Sequence, residues 1–273
     1  MAYNPKAPTC SPWLYDTEPF EMVENVFYVG NKSVSSHLFD TGEGLLLLDT
    51  TYMQTVYLLL ESIRKLGFDP KDIRWILHSH GHYDHFGGTR VLTEKYGCKT
   101  YFPEKDICFL KEKNVLNYAH DAGLDYEIPY GMYFDVDVPV HDGDVLHFGN
   151  ISMKAVSAPG HTPGTMAYFF TLPNGLIAAM HGGMGRNTLA SSYLKSHNLD
   201  KSWRVDFVNT LAKLRNYHVD IVLGNHPNQN ETFERQAQKG FLPSNPFIDD
   251  TYWNRMLDRT LEKYRAMEAA DPM

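Results

Sequence analysis

The chain has 273 residues, of which 43% are hydrophobic and 21% are charged, and this composition is typical of a globular protein rather than a disordered one. Its 25 lysines and arginines against 33 aspartates and glutamates give a net charge of −8, which argues against nucleic acid as a partner. The longest aliphatic run covers only residues 45–48, far short of the about 20 residues that span a bilayer, so no membrane association is expected.

Strands and helices alternate along the chain. Apolar runs bounded by turn residues predict strands at 26–29, 45–49, 72–77, 99–102, 144–148, 151–156, 166–171, 176–180 and 220–223. Apolar residues at helical spacing predict helices at 54–66, 89–96, 105–119, 201–217 and about 250–267. The stretch 78–88 is polar and glycine-rich, which predicts a loop. This alternation indicates one α/β domain over residues 1–273, with sheets covered by helices.

The most informative segment follows the strand at 72–77. His80, His82, Asp84 and His85 fall within six residues, and imidazole and carboxylate are ligand types that Zn²⁺ takes. In an extended loop, the i, i+2, i+4 spacing predicts that His80, His82 and Asp84 project to the same side. His85 then points elsewhere, as a second metal nearby would require. A solvated histidine-rich loop is the alternative, and four such residues directly after an apolar strand argue against it.

Two later histidines also follow predicted strands. His161 lies in the turn sequence SAPGHTPGT, and His226 lies in LGNHP. Ligands delivered from the ends of several strands are how α/β scaffolds build sites. Either histidine alone would more often be a turn or core residue.

Together these residues resemble the metallo-β-lactamase superfamily. The resemblance covers about 200 residues, from the strand that ends in Asp49, through the HxHxDH and GHTPG sequences, to His226. It implies an αββα sandwich with two Zn²⁺ ions at one edge, although other transition metals are possible. By this resemblance, His80, His82 and His161 hold the first zinc, and Asp84, His85 and His226 hold the second. Asp49 matches an aspartate that supports the site from behind the ligands.

One departure from the family narrows the function. Many members place a metal-bridging aspartate after a strand, but residues 176–185 contain no carboxylate. The pattern resembles the metallo-β-lactamase subclass with an Asp-His-His second site, and it argues against thioesterases, nucleases and lactonases. His181 in this stretch is either a strand-end histidine, which is favoured, or a further contact to the metal centre.

The expected activity is dinuclear zinc-dependent hydrolysis of a small molecule, in which a metal-bound hydroxide opens a β-lactam or a related cyclic amide or ester. Asp84 is predicted to orient the nucleophile as well as to bind metal. The alternative is a thioester, lactone or sulfate-ester hydrolase of the same fold. An oxygen-reducing di-iron protein is disfavoured because such proteins carry Glu at the position of His82, and a non-enzymatic metal scaffold because all six ligands are present.

The contacts with substrate are predicted less sharply. Arg186, Asn187 and Asn225 are candidates for a substrate carboxylate or carbonyl, although solvated loop residues would look the same. The aromatic run Tyr126, Tyr130, Tyr133 and Phe134 either roofs the pocket or packs in the core.

The compartment is predicted from two further features. Cys10, Cys98 and Cys108 have no CxxC spacing, so they indicate neither a disulfide framework nor a cysteine zinc site. The first 20 residues show no secretory signal, so a cytoplasmic location is expected, which makes a dedicated role in antibiotic resistance less expected.

Overall fold

The chain folds as an αββα sandwich, in which two β-sheets lie face to face and helices cover both outer faces. The structure, a computed structural model, describes residues 4–111, 115–119 and 132–273. The fold class predicted from the sequence is confirmed.

The first sheet has seven strands that are hydrogen-bonded in their chain order. They are β1 (Phe20–Val23), β2 (Val26–Tyr28), β3 (His37–Asp40), β4 (Leu45–Leu48), β5 (Ile73–Leu77), β6 (Lys99–Pro103) and β7 (Val138–Val140). Strands β1 to β4 are antiparallel, and β4 to β7 are parallel. All four leucines of β4 are buried, because this central strand packs on both of its faces.

The second sheet has five strands in the order β12-β11-β10-β9-β8. Their bounds are β8 (Val145–Phe148), β9 (Ile151–Ser157), β10 (Met166–Thr171), β11 (Ile177–Met180) and β12 (Ile221–Leu223). Only the pair β11 and β12 is parallel. Alternate residues of the two sheets, including Phe39 and Phe170 with ring centroids 5.3 Å apart, form the core between them.

The helices are α1 (Val56–Lys65), α2 (Tyr83–Phe86), α3 (Thr89–Tyr96), α4 (Ser191–Ser196), α5 (Ser202–Leu214), α6 (Thr232–Gln238) and α7 (Tyr252–Ala270). The apolar sides of α1 and α3 pack on the outer face of the first sheet. Helices α5 and α7 cover the second sheet, where Trp253 packs against Phe169 and donates to the Leu214 carbonyl at 2.9 Å. Among the described helices, none is long and apolar enough to cross a membrane.

Two segments with a predicted structure adopt a different one. The helix predicted at 105–119 is replaced by two 3₁₀ segments, Glu104–Leu110 and Val115–Asn117. The first of them is anchored by the buried Asp106 side chain, a long-range contact that local spacing does not carry. The predicted loop 78–88 contains α2, which begins at Tyr83.

Candidate metal centre

Six potential ligands are brought together where strands of both sheets end. His80 and His82 lie in the loop after β5, and Asp84 and His85 lie in α2 directly behind it. His161 lies between β9 and β10, and His226 follows β12. Each segment therefore leaves the carboxyl end of a strand, where α/β folds commonly place their sites.

The six residues form two groups. The ligand atoms within each group all lie within 4.8 Å of one another. We call His80, His82 and His161 the first ligand set, and Asp84, His85 and His226 the second ligand set. These are the two sets implied by the family resemblance, whereas metal binding by each residue stays a prediction.

The position of Asp84 corrects one expectation from local spacing. Asp84 does not join His80 and His82, because the extended backbone ends at His82 and α2 begins at the next residue. The start of α2 places the Asp84 carboxylate in the second set, where its Oδ2 lies 3.5 Å from His85 Nε2 and 3.7 Å from His226 Nε2. Spacing within an extended loop therefore does not hold across this helix start.

Backbone carbonyl groups fix the protons of two ligand histidines. His161 Nδ1 lies 3.0 Å from the Gly185 carbonyl oxygen, and His226 Nδ1 lies 2.8 Å from that of Ser33. Because a carbonyl oxygen only accepts, each Nδ1 donates its proton. The Nε2 atom of each neutral ring therefore carries a lone pair on the side away from its carbonyl partner.

The Ser79 hydroxyl and the Asp49 carboxylate fix the protons of two further histidines, His80 and His85. The Ser79 hydroxyl donates to Asp49 Oδ2 at 2.7 Å, so it accepts from His80 Nδ1 at 2.9 Å. His85 Nδ1 donates to the same Asp49 oxygen at 2.8 Å. In the neutral rings, the Nε2 atoms of His80 and His85 are left with lone pairs, and that of His85 is buried without a hydrogen-bond partner among the described residues.

The first ligand set is suited to a cation. His80 Nε2 and His82 Nδ1 lie 3.1 Å apart, and His161 has ring centroids 4.7 and 4.5 Å from those of His80 and His82. Burial, with repulsion from neighbouring histidines, lowers the pKa of His80 and His82 well below the usual range and that of His161 to about 3. These rings are therefore neutral at pH 7, the form in which imidazole binds metal.

The second ligand set has a different charge balance. Burial lowers the pKa of His85, but the charges of Asp84 and Asp49 outweigh that effect, so the pKa is raised overall. Burial and the charge of His85 lower the pKa of His226. Two imidazoles and one carboxylate with free lone pairs match the donors that Zn²⁺ takes, and so do the three imidazoles of the first set.

Asp49 lies behind the ligands, as the resemblance implied. It is fully buried just after β4, with a backbone φ of 62°, and besides His85 it accepts from the Ser79 N–H at 2.8 Å and from Asn225 Nδ2 at 3.3 Å. Burial opposes its ionisation, yet the charge of His85 and these donors lower the pKa of Asp49 overall. It is held as a carboxylate that orients His85.

The remaining candidates occupy separate places. Asn225 is fully buried and donates to Asp49 and Ser79, so the structure places it behind the ligands and not toward a substrate. His181 follows β11 and is fully buried, and neither ring nitrogen has a hydrogen-bond partner among the described residues. Burial and nearby histidines lower the pKa of His181 to about 3.

The predicted substrate contacts lie outside both ligand sets. Arg186 lines a cavity of about 300 Å³ together with α7, and Asn187 is exposed at the start of a short 3₁₀ segment. Phe134 packs against Phe102, with ring centroids 5.9 Å apart, and against the His78 ring, so it belongs to a packed cluster, as the core alternative predicts. Tyr133 packs against the same cluster, while Tyr126 and Tyr130 lie outside the described residues.

The groups that hold the histidines were not predicted from the sequence. They are the Ser79 hydroxyl and the carbonyl groups of Ser33 and Gly185. Ser79 lies inside the histidine-rich segment and could have been suspected from that position. Ser33 lies 193 residues from His226 and carries no local signal.

Comparison with known proteins finds one matching family and a similar solved structure. The family described as the metallo-beta-lactamase superfamily matches residues 29–226. A solved subclass B3 metallo-beta-lactamase of Bradyrhizobium japonicum is 25% identical, with a TM-score of 0.79, over 94% of this chain and 96% of that one.

Two curated relatives have other names. A hydroxyacylglutathione hydrolase of Rhodopseudomonas palustris is 31% identical over 44% of this chain and 37% of its own length. An N-acyl homoserine lactonase of Agrobacterium fabrum is 24% identical over 66% of this chain and 68% of its own. The chain thus spans little more than a third of the first of these relatives.

Proposed function

The chain belongs to the metallo-β-lactamase superfamily, and from that premise we propose that it is a dinuclear zinc-dependent hydrolase that opens a β-lactam or a related cyclic amide or ester. Its two metal ions would be held by the first and second ligand sets. Zinc is the metal we favour because five imidazoles and one carboxylate are its usual donors, although other transition metals also bind such donors.

The observation that carries this proposal is the direction of the lone pairs. Four histidines, His80, His85, His161 and His226, each give their Nδ1 proton to an oxygen behind them. The Nε2 atom of His80 lies 3.1 Å from His82 Nδ1, and those of His85 and His226 lie 3.5 and 3.7 Å from Asp84 Oδ2. An arrangement that presents unprotonated nitrogens to one another is costly unless a cation accepts them.

The protein groups have distinct tasks in this proposal. The chemistry that zinc would supply at these residues is a bound water with its pKa lowered to about 7 and polarisation of a substrate carbonyl. Asp84, whose side chain is 15% exposed, would bind metal through one carboxylate oxygen and accept a proton from the attacking water through the other, which orients that water. Asp49 keeps His85 in the tautomer that presents Nε2.

The end of β11 favours the β-lactam substrate class. His181 stands directly after this strand, in the stretch where many family members have a bridging aspartate. The second set therefore consists of Asp84, His85 and His226, which is the Asp-His-His pattern. The similarity to a subclass B3 enzyme over nearly the full length supports the same substrate class.

A thioester, lactone or sulfate-ester hydrolase is the second candidate. The names of two relatives, a hydroxyacylglutathione hydrolase and an N-acyl homoserine lactonase, support thioesters and lactones as substrates. The same nucleophile serves these esters, because each presents a carbonyl, or a sulfur centre, that hydroxide attacks.

A hydrolysis panel tests the proposal. Zinc-loaded protein is assayed with a penicillin, a carbapenem, an acyl homoserine lactone, a glutathione thioester and an aryl sulfate, with His161→Ala as the matched control. We expect turnover of a β-lactam that a chelator abolishes and zinc restores. Turnover of only the lactone, thioester or sulfate would select the second candidate. Rates equal to those of His161→Ala on every substrate would refute both.

A further inference from the structure

We infer that Asp106 is a positioning residue that ties together the two loops of the first ligand set while touching none of the six ligands. Its carboxylate lies between the loop of His80 and His82 and the loop of His161. The inference rests on the proposed metal-binding role of that set, and it adds a residue that sets the spacing between the two loops.

Three hydrogen bonds make the connection. Asp106 Oδ2 accepts from the Gly81 N–H at 2.8 Å and from the Thr162 hydroxyl at 2.5 Å, and Oδ1 accepts from the Gly164 N–H at 2.7 Å. Gly81 lies between His80 and His82, and Thr162 directly follows His161. One side chain therefore holds the backbone beside all three imidazoles of the set.

The two glycines allow the carboxylate to approach this closely. A Cβ atom on Gly164 would lie 2.5 Å from Asp106 Oδ1, and a Cβ on Gly81 would lie 2.9 Å from Asp106 Cβ and 2.8 Å from the ring of Phe109. Real side chains do not tolerate such distances, so each loop needs glycine where it meets Asp106. The contact thus explains a glycine in each of the two histidine-bearing motifs.

A stabilising role alone is a poor explanation for a carboxylate in this place. Asp106 is fully buried, and burial raises its pKa to about 6 even though Thr162, Gly81 and Gly164 donate to it. A well-packed apolar side chain usually serves stability as well as a buried charge does. What an apolar side chain does not supply is three directed acceptor contacts that fix the distance between two separate loops.

The test is a metal titration and not an activity assay. Asp106→Asn keeps the size of the side chain but offers one acceptor oxygen and an NH₂ group that faces N–H or O–H donors. We expect the affinity of the first set for Co²⁺ to fall 10- to 100-fold, as when a group that orients metal ligands is removed, while the second set is unchanged. Calorimetry with His161→Ala identifies the binding event of the first set, and the Co²⁺ absorption spectrum reports its coordination.

A graded pair and a matched control separate positioning from stability. Thr162→Ser keeps the hydroxyl donor and should retain wild-type affinity, whereas Thr162→Val should lose part of it. Asp137→Asn is the control, because Asp137 also accepts from a backbone N–H and a hydroxyl, both of Thr100, at 2.8 and 3.0 Å. We expect it to lower the melting temperature without changing either affinity.

The outcomes are distinguishable. Wild-type affinity in both sets of Asp106→Asn, or an equal loss in both sets, would overturn the positioning role even if hydrolysis had been demonstrated. Failure of the hydrolysis panel leaves the titration intact as a test. Wild-type protein that binds no Co²⁺ would overturn this inference and the proposed metal centre together.

Discussion

Asp49→Asn should weaken metal binding by the second ligand set and spare the first. In the wild type, Asp49 Oδ2 accepts from His85 Nδ1 at 2.8 Å and so leaves a lone pair on His85 Nε2. The amide side chain of this variant would present one oxygen where the carboxylate presents two. If its NH₂ group faces His85, Nδ1 must accept, and the proton moves to Nε2, the nitrogen that lies 3.5 Å from Asp84 Oδ2 of the second set.

The size of the effect follows from these contacts. Asp49 accepts four hydrogen bonds, two from Ser79 and one each from His85 and Asn225. If the amide oxygen accepts from the Ser79 N–H, the other three donors must rearrange around an NH₂ group. These donors are the Ser79 hydroxyl, His85 Nδ1 and Asn225 Nδ2. Groups that orient metal ligands typically contribute 10- to 100-fold in affinity, which corresponds to about 1.4–2.7 kcal/mol.

Isothermal titration with Zn²⁺ measures this loss directly. The first set serves as an internal standard. Asp40→Asn serves as the control variant, because it changes a half-buried carboxylate that accepts from the Gly42 N–H at 3.0 Å in its own turn. We expect one event at wild-type affinity and one weakened event. Two events at wild-type affinity in Asp49→Asn would refute the role assigned to Asp49.

Three further predictions concern single residues and pH. Asp84→Ala should stay inactive in excess zinc, because it loses a metal ligand and the acceptor that orients water, whereas excess zinc should partly rescue His82→Ala. Hydrolysis rates of both variants with and without added zinc test this. Wild-type turnover by Asp84→Ala would contradict the mechanism. Acid should release metal from the second set before the first, because the pKa of His85 is raised while that of His161 lies at about 3. Metal content measured along a pH series gives the order of release. Loss of metal from the first set at the higher pH would contradict this prediction. Metal-free protein should lose stability as pH falls from 6.5 toward 4, because His181 takes up a proton in the unfolded chain but not when it is buried, where its pKa is about 3. The free energy of unfolding, measured with urea at several pH values, should fall less steeply with decreasing pH in His181→Phe, by up to about 1.4 kcal/mol per pH unit. The same pH dependence in the variant and the wild type would contradict this.

The grouping of the six candidate ligands was predictable because their signals are local or follow strands. Four of them stand in one segment after β5, and His161 and His226 each follow an apolar strand. The alternation of apolar runs likewise predicted most strands to within a few residues and helix α3 to its bounds. The short strands β1, β3 and β7 and helices α2, α4 and α6 were missed, because each is brief and has weak local patterning.

The supporting groups were not predictable, because they meet the site only through the fold. Asp106 lies 25 residues from Gly81 and 56 from Thr162, and its helical-looking neighbourhood gave no sign of a buried carboxylate. Asn225 was one candidate for a substrate contact, with a turn residue as the alternative, since a polar residue beside a histidine looks the same whether it faces a pocket or the interior. Local spacing also gave the wrong direction for the Asp84 side chain, which was expected to project to the same side as those of His80 and His82. A helix begins at Tyr83, and its backbone rotates the side chains that follow.

Metal stoichiometry tests the central claim most directly, namely that two ligand sets each hold one ion. Elemental analysis is made on wild-type protein, His161→Ala and His226→Ala after zinc loading and removal of free metal. We predict two zinc ions per chain in the wild type and one in each variant. Fewer than one ion per wild-type chain, or two ions retained in His161→Ala, would contradict the account.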